Sequence, residues 1–171
     1  MIHVKKLSIV LIILILLALG ASVLAWSPRG ERTIDVAQLF AGVKRTSLRP
    51  DEIVTQVRVP SPESGLRSAF LKQQRIRGHD LAVASVAATY APAGGLLRLA
   101  FGSCAPTPVL IAPIEARGAS AEAVADETVR RVEAAAVPIS DVRASADYRR
   151  AVLPVLVRRL VTTLLEEGGA P

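Results

Sequence analysis

Few residues in this chain of 171 could do chemistry, and their types restrict what that chemistry could be. The densest polar cluster is Lys72-Gln73-Gln74-Arg75-Ile76-Arg77-Gly78-His79-Asp80, lying between two apolar stretches. It concentrates charge without placing a nucleophile beside a base, and by composition it reads as a charged connection between two strands. The two histidines, His3 and His79, are far apart in sequence, and the single cysteine, Cys104, completes no metal cluster with them. No Gly-x-Ser-x-Gly elbow occurs, so a hydrolase triad has no nucleophile to build on. There is no Gly-x-Gly-x-x-Gly after a strand and no Gly-x-x-x-x-Gly-Lys loop, so nothing in this sequence can cradle a nucleotide diphosphate. A second polar block, Pro138 to Arg150, runs straight into an apolar helix. Its small polar residues can cap and orient that helix, and the block reads as a docking and scaffolding element.

The chain has room for one domain plus an appendage, and an apolar content of 51% is enough to bury a core. Its formal charge of +6 does not point to nucleic acid. The basic residues are mostly arginines scattered along the chain beside Asp or Glu, and aromatic residues at 4% leave no stacking platform for bases. A solvated basic surface that meets an acidic partner protein fits better. With Cys104 alone, no disulfide can form within the chain, which favours a reducing compartment.

The N-terminus carries a different signal. After Lys5 and Lys6, the run from Leu7 to Ala25 holds about nineteen residues without a charge, near the minimum for a membrane span. Val23 and Ala25 also fit the small-residue pattern of a signal-peptidase site, with cleavage before Trp26. Lys5 and Lys6 on one side face Arg29, Arg32, Lys44 and Arg45 on the other, so the positive-inside rule sets no orientation. Residues 1–26 therefore read as a hydrophobic N-terminal segment that is an anchor, a cleaved leader or in part a leading strand, ahead of a domain over 27–171.

Beyond Trp26 the pattern becomes that of a folded domain. Thr33 to Phe40 predicts a short strand entering a helical turn, and Ile53, Thr55, Val57 and Val59 alternate along a strand that ends at Pro60. Ser68 to Lys72 and Ala82 to Tyr90 predict two more strands. Gly94-Gly95 turns the chain into Leu96 to Phe101, and Gly102 to Pro108 is irregular. Ser120 then caps a helix in which Ala121, Val124, Ala125, Thr128, Val129, Val132 and Ala136 recur with a 3.6-residue period, leaving Arg130, Arg131 and Glu133 on the wet face. The last helix places Tyr148, Val152, Leu156, Leu160 and Leu164 on one stripe, contains Pro154, which should kink it, and stops at Gly168-Gly169. Strands first and helices after predict an α+β fold, a small antiparallel sheet of three to four strands with helices packed on one face.

Several separate segments together carry a resemblance to a known family. Arg29-Gly30-Glu31-Arg32-Thr33, Leu48-Arg49-Pro50-Asp51-Glu52-Ile53-Val54-Thr55, Ala69-Phe70-Leu71-Lys72, Arg77-Gly78-His79-Asp80-Leu81-Ala82, Ala105-Pro106-Thr107-Pro108 and Ile139-Ser140-Asp141-Val142-Arg143-Ala144-Ser145 stand in the order found in one group. The chain resembles the C-terminal domain of the FAD-binding medium subunit of molybdenum hydroxylases, the carbon monoxide dehydrogenase and xanthine dehydrogenase types. The likeness runs from about Ser27 to Glu167, and Ala18 to Ala25 resembles the strand that leads into Arg29.

The resemblance implies a protein that passes electrons through FAD, from an iron-sulfur small subunit to an external acceptor such as NAD or a quinone, while a molybdenum-cofactor large subunit oxidises the substrate. The glycine-rich loops that grip the FAD diphosphate belong to an N-terminal domain that this sequence lacks. It therefore implies a truncated or split subunit, inactive alone, that relies on an FAD-domain polypeptide. By the same resemblance Lys72 matches a basic residue that approaches the flavin, and Asp80 lies at the edge of the same loop. Ser140, Asp141, Arg143 and Tyr148 match the signature before the final helix, where they cap and pack. A cytoplasmic or inner-membrane-associated complex follows from this reading. The alternative is a membrane-tethered or exported interaction domain without catalytic work.

Overall fold

The computed structural model describes residues 9–76 and 81–166. The chain opens with α1 (Ile9–Leu19) and β1 (Ser22–Ser27), followed by β2 (Gly30–Asp35), a single helical turn α2 (Val36–Leu39), β3 (Phe40–Gly42), β4 (Arg45–Thr46) and β5 (Ile53–Arg58). A second group comprises β6 (Arg67–Gln73), β7 (Ala84–Ala91), β8 (Leu96–Gly102), β9 (Val109–Leu110) and β10 (Ile114–Glu115). Two long helices close the chain, α3 (Ala121–Ala135) and α4 (Ala146–Glu166).

The long apolar run of the sequence is divided between two elements. α1 stops at Gly20, whose φ of +72° is open to glycine and strained for other residues. Gly20 N donates to Leu17 O and Ala21 N donates to Leu16 O, the paired bonds of a Schellman helix end. A Cβ on Gly20 would also come within 3.0 Å of the Arg98 guanidinium. Beyond this turn the chain enters β1 as the central strand of an antiparallel sheet ordered β2-β1-β5. The leading strand expected over Ala18 to Ala25 is present as β1 over Ser22–Ser27, with Ala18 and Leu19 ending α1 instead. Among the described residues no helix is long and apolar enough to cross a membrane, because α1 has 11 residues before the glycine ends it.

The second sheet is larger than the three to four strands expected from sequence. It has five strands, ordered β10-β8-β7-β6 with β9 also paired to β8. The extra strands, β9 and β10, are two residues each, in a stretch whose Gly and Pro content hides any alternation. The expectation of helices on one face also needs correction. Ala84, Val86, Ala88, Leu97, Leu99 and Phe101 pack against α3 and α4, while Ala87 and Ala100 on the other face pack against Leu14 and Leu17 of α1. Because side chains alternate across a strand, β7 and β8 bury both of their faces. That explains why β7 reads as a continuous run of small and apolar residues.

In α3 the Ser120 hydroxyl accepts from Ala123 N, and Val124, Ala125, Thr128 and Val132 are buried, as the sequence period predicts. The stripe on α4 is rotated from the expected one. Arg149, Leu153, Leu156, Val157, Leu160, Val161 and Leu164 are buried, whereas Tyr148 is 47% exposed. Pro154 lies inside a helix assigned without a break from Ala146 to Glu166.

Two of the sequence segments quoted above are tied to each other by ion pairs. Arg32 clasps Glu52 through Nε to Oε1 at 2.7 Å and Nη2 to Oε2 at 2.8 Å, while Arg49 N donates to Glu52 Oε2 and Arg32 Nη2 to Ser47 O. The Arg32 guanidinium, helped by the Arg49 N–H, brings the buried Glu52 carboxyl down from 4.5 to about 2. A lowered carboxylate stabilises the fold fully above its ordinary value and loses that contribution as pH falls from 4.5 toward 2. Glu52→Gln should therefore lower the denaturant midpoint at neutral pH and flatten the loss of stability over that acid range relative to the parent protein. Denaturant titrations across the range measure it, and identical slopes in the two proteins would contradict it.

Candidate functional site

The elements that position the candidate residues meet at one end of the second sheet. Lys72 sits near the end of β6, directly opposite Ser85 of β7, which in turn faces Gly102 of β8. Two residues back along β6, Phe70 faces Ala87 and packs with the α1 cluster. Residues two apart on a strand share a face, so Lys72, Ser85 and Gly102 form a row on the α1 side of the sheet, away from α3 and α4. Lys72 is half-buried, and Ser85 is fully buried with no hydrogen-bond partner for its hydroxyl among the described residues. Gly102 adds no side chain, so the row offers a cation, an unmet hydroxyl and bare strand backbone.

The loop beyond β6 is held by the block before α4. Arg75 Nη1 donates to Val142 O at 3.3 Å, and Arg143 Nη1 reaches Ala82 O at 3.5 Å. Asp141 is the hub of that block. It accepts from the Arg143 side chain, from the backbone N–H of Arg143 and Ala144, and from Arg149 Nη2 at 2.7 Å. The Arg143 guanidinium, then its N–H, holds the Asp141 carboxyl well below the usual carboxylate range. Arg149 is 1% exposed and also donates to Val83 O at 2.7 Å and to Ser103 O at 2.5 Å. One guanidinium thus pins α4 to the start of β7 and to the bend after β8. Ser103 has a φ of 66°, the left-handed region that non-glycine residues rarely adopt, and its carbonyl is one of those that Arg149 holds. Cys104 beside it is buried, which pushes its thiol up to about 11, so it packs as an apolar residue.

Lys72 therefore lies in a structured, partly buried setting, while Asp80 is outside the described residues. Ser140 accepts from Ala146 N and Ser145 from Tyr148 N, the capping roles that the sequence suggests, and Tyr148 itself stays at the surface. Sequence reasoning missed Arg149 and Ser85. The first had a signal, since Arg149 stands four residues before Leu153 and eight before Val157, which places it on a buried stripe. Ser85 had none, because a lone serine in a strand of Ala and Val is common.

The comparisons with known proteins identify the family to which this fold belongs. Residues 69–164 match the family model of the CO dehydrogenase flavoprotein C-terminal domain, and residues 10–62 match that of the FAD binding domain in molybdopterin dehydrogenase. The chain belongs to the FAD-binding medium subunits of molybdenum hydroxylases. The carbon monoxide dehydrogenase medium chain of Afipia carboxidovorans is 31% identical over 84% of this chain and 51% of its own length. The nicotine 6-hydroxylase medium subunit of Paenarthrobacter nicotinovorans is 33% identical over 91% of this chain and 55% of its own. The solved structure of reconstituted CO dehydrogenase from Oligotropha carboxidovorans superposes with a TM-score of 0.78 over 88% of this chain and 54% of that one, at 28% identity. The chain spans about half the length of the curated relatives it matches. One expectation is corrected here. The likeness is not confined to the C-terminal domain, because β1, β2 and β5, and all of α1 but its first residue, fall within the FAD-binding match.

Proposed function

We propose that this chain covers the flavin of a molybdenum hydroxylase and supports electron transfer from iron-sulfur centres to an external acceptor, with the glycine-rich loops for the FAD diphosphate supplied by another polypeptide. The observation that carries the reading is the Lys72–Ser85–Gly102 row, which lies on the face of the second sheet turned toward the segment matched to the FAD-binding domain. These residues fit the ring end of a flavin. A cation beside the ring favours its reduced, anionic form. The diphosphate end finds no fit, since the sequence holds no glycine-rich phosphate loop to supply backbone donors.

Bound flavin supplies the two-electron store between one-electron centres and the acceptor. The chain's own residues do the positioning. The block before α4 and Arg149 hold Arg75, Ala82 and Val83, described residues between Lys72 on β6 and Ser85 on β7. A molybdenum-cofactor large subunit and an iron-sulfur small subunit complete the assembly in this reading. The test is co-expression with a polypeptide that carries the glycine-rich loops. A yellow complex with one flavin per pair supports the reading, and a colourless pair that does not associate contradicts it.

A further inference from the structure

Arg98 of β8 stands on the α1 face of the second sheet, at the far end from the Lys72 row. Gly102, Ala100 and Arg98 are two residues apart along the strand and so share that face, and Ala100 packs beneath α1. Arg98 lies roughly 14 Å along the strand from Gly102. Its cross-strand partner is Thr89, whose hydroxyl donates to Ala18 O at 3.0 Å. An arginine below a helix C-terminus can cap its carbonyls, yet those that close α1 already have donors. Leu16 O accepts from Ala21 N, Leu17 O from Gly20 N and Ala18 O from Thr89. Arg98 takes no part in this. None of its nitrogens has a hydrogen-bond or ion-pair partner among the described residues, and its Nε is buried. A buried cationic donor without a partner is costly.

The guanidinium lies against Gly20, where an added Cβ would stand 3.0 Å from Nη2 and 3.4 Å from Nη1, so the bare glycine leaves space for the fork. Two clefts meet at this pair of residues. One, of about 330 Å³, is also lined by Leu17, Ala21, Asp35, Ala37 and Leu110. The other, of about 250 Å³, runs between Leu19, Pro60, Pro62, Leu66 and Leu96, with Glu63 also in its wall. Glu63 Oε2 lies 3.7 Å from where a Cβ on Gly94 would stand, so its carboxylate sits at the β7–β8 turn end of the second cleft. Neither Asp35 nor Glu63 forms an ion pair with Arg98.

We propose that the second cleft binds a small organic monocarboxylate, with the carboxylate on the Arg98 fork and an apolar body between Leu19, Leu66, Leu96 and the two prolines. A planar carboxylate matches the fork through two parallel N–H···O bonds. A single negative charge is what the site can neutralise, because the C-terminal end of α1 carries partial negative charge and a carboxylate lines each cleft. That disfavours a phosphate dianion. The apolar walls also give an aliphatic or aromatic body a contact that phosphate cannot use. The site is separate from the Lys72 row and stands or falls without it.

The experiment titrates the full chain calorimetrically at fixed ionic strength, with benzoate in one arm and inorganic phosphate in the other. Saturable benzoate binding with a Kd of about 1 mM is expected, with phosphate weaker by about tenfold or more. Arg98→Gln should weaken benzoate binding by about tenfold or more, whereas Arg159→Gln, which removes an exposed charge from α4, should leave it unchanged. Leu96→Trp narrows the cleft at a strand position that is already 43% exposed, so it should abolish binding while the unfolding midpoint stays near that of the parent. That variant decides the matter if Arg98→Gln does not fold. The inference is overturned by an absence of saturable benzoate binding, by phosphate binding as tight as benzoate, or by unchanged benzoate affinity in Arg98→Gln or Leu96→Trp. An equal loss in Arg159→Gln overturns it too, since the binding would then report bulk charge.

Discussion

Arg149→Met lowers the stability of the chain by about 3 kcal/mol, because two buried carbonyls, Val83 O and Ser103 O, lose a charged donor that no neighbouring side chain can replace. In a protein of this size that corresponds to a fall of roughly 6–12 °C in the thermal midpoint. Methionine keeps the apolar stem and much of the volume, so the loss reads out the guanidinium rather than a cavity. Arg150→Met, one residue on and exposed, is the control, and it should change stability by less than about 0.5 kcal/mol. Arg149→Lys should recover only part of the loss, because an ammonium cannot present the fork that reaches Val83, Ser103 and Asp141 together. Equal midpoints for Arg149→Met and the parent would show that the buried cation is not what pins α4 to the sheet.

In the proposed complex Lys72→Met is expected to change the flavin potential and to leave the fold nearly unchanged. In the assembled complex the variant should shift the flavin midpoint potential to more negative values by about 30 mV for each tenfold of differential stabilisation lost. The sign follows from charge: a cation beside the ring favours the reduced, anionic form over the neutral oxidised one, so its removal disfavours reduction. Lys72→Arg keeps the charge and should restore most of the potential. A residue that served only to pack β6 would alter flavin content or thermal stability in both variants without separating them by charge. Spectroelectrochemical titration of the complex decides the matter, and an unchanged potential in Lys72→Met would remove Lys72 from the flavin environment.

Much of the architecture was legible because its signals are local. The Ser120 cap, the period of α3 and the Gly94-Gly95 turn need no knowledge of the rest of the chain, whereas the single face expected for Ile53, Thr55, Val57 and Val59 fails because the irregularity between Leu24 and Ala25 puts Ile53 and Val57 on opposite faces of β5. The rotated stripe of α4 escaped because Tyr148, an aromatic residue at the helix start, outweighed Arg149 as a candidate for burial. Only the carbonyls of Val83 and Ser103, far off in sequence, make burial of that arginine favourable. The apolar run from Leu7 to Ala25 could not be resolved by composition, since a span, a leader and a buried helix with a strand share it. Gly20 is the residue that divides it, through a turn whose energetic basis lies in two backbone hydrogen bonds. The second helix-covered face of β7 and β8 was equally hidden, because Ala87 and Ala100 reveal what covers them only in three dimensions.

The candidate site was legible in part. Lys72 and the block from Ser140 to Ser145 stand out by resemblance and by charge, and the structure brings the loop after Lys72 against that block through Arg75 and Arg143. Ser85 became visible only once the strand register set it opposite Lys72, with its hydroxyl unmet.

The most direct measurement is a titration of the purified chain, alone, with FAD, followed by the quenching of flavin fluorescence and by the absorbance of the protein after gel filtration. The account predicts no saturable binding at micromolar FAD and a colourless protein, because the sequence holds no glycine-rich loop to supply backbone donors for the diphosphate. A chain that emerges yellow, holding one FAD per molecule without help, would contradict it.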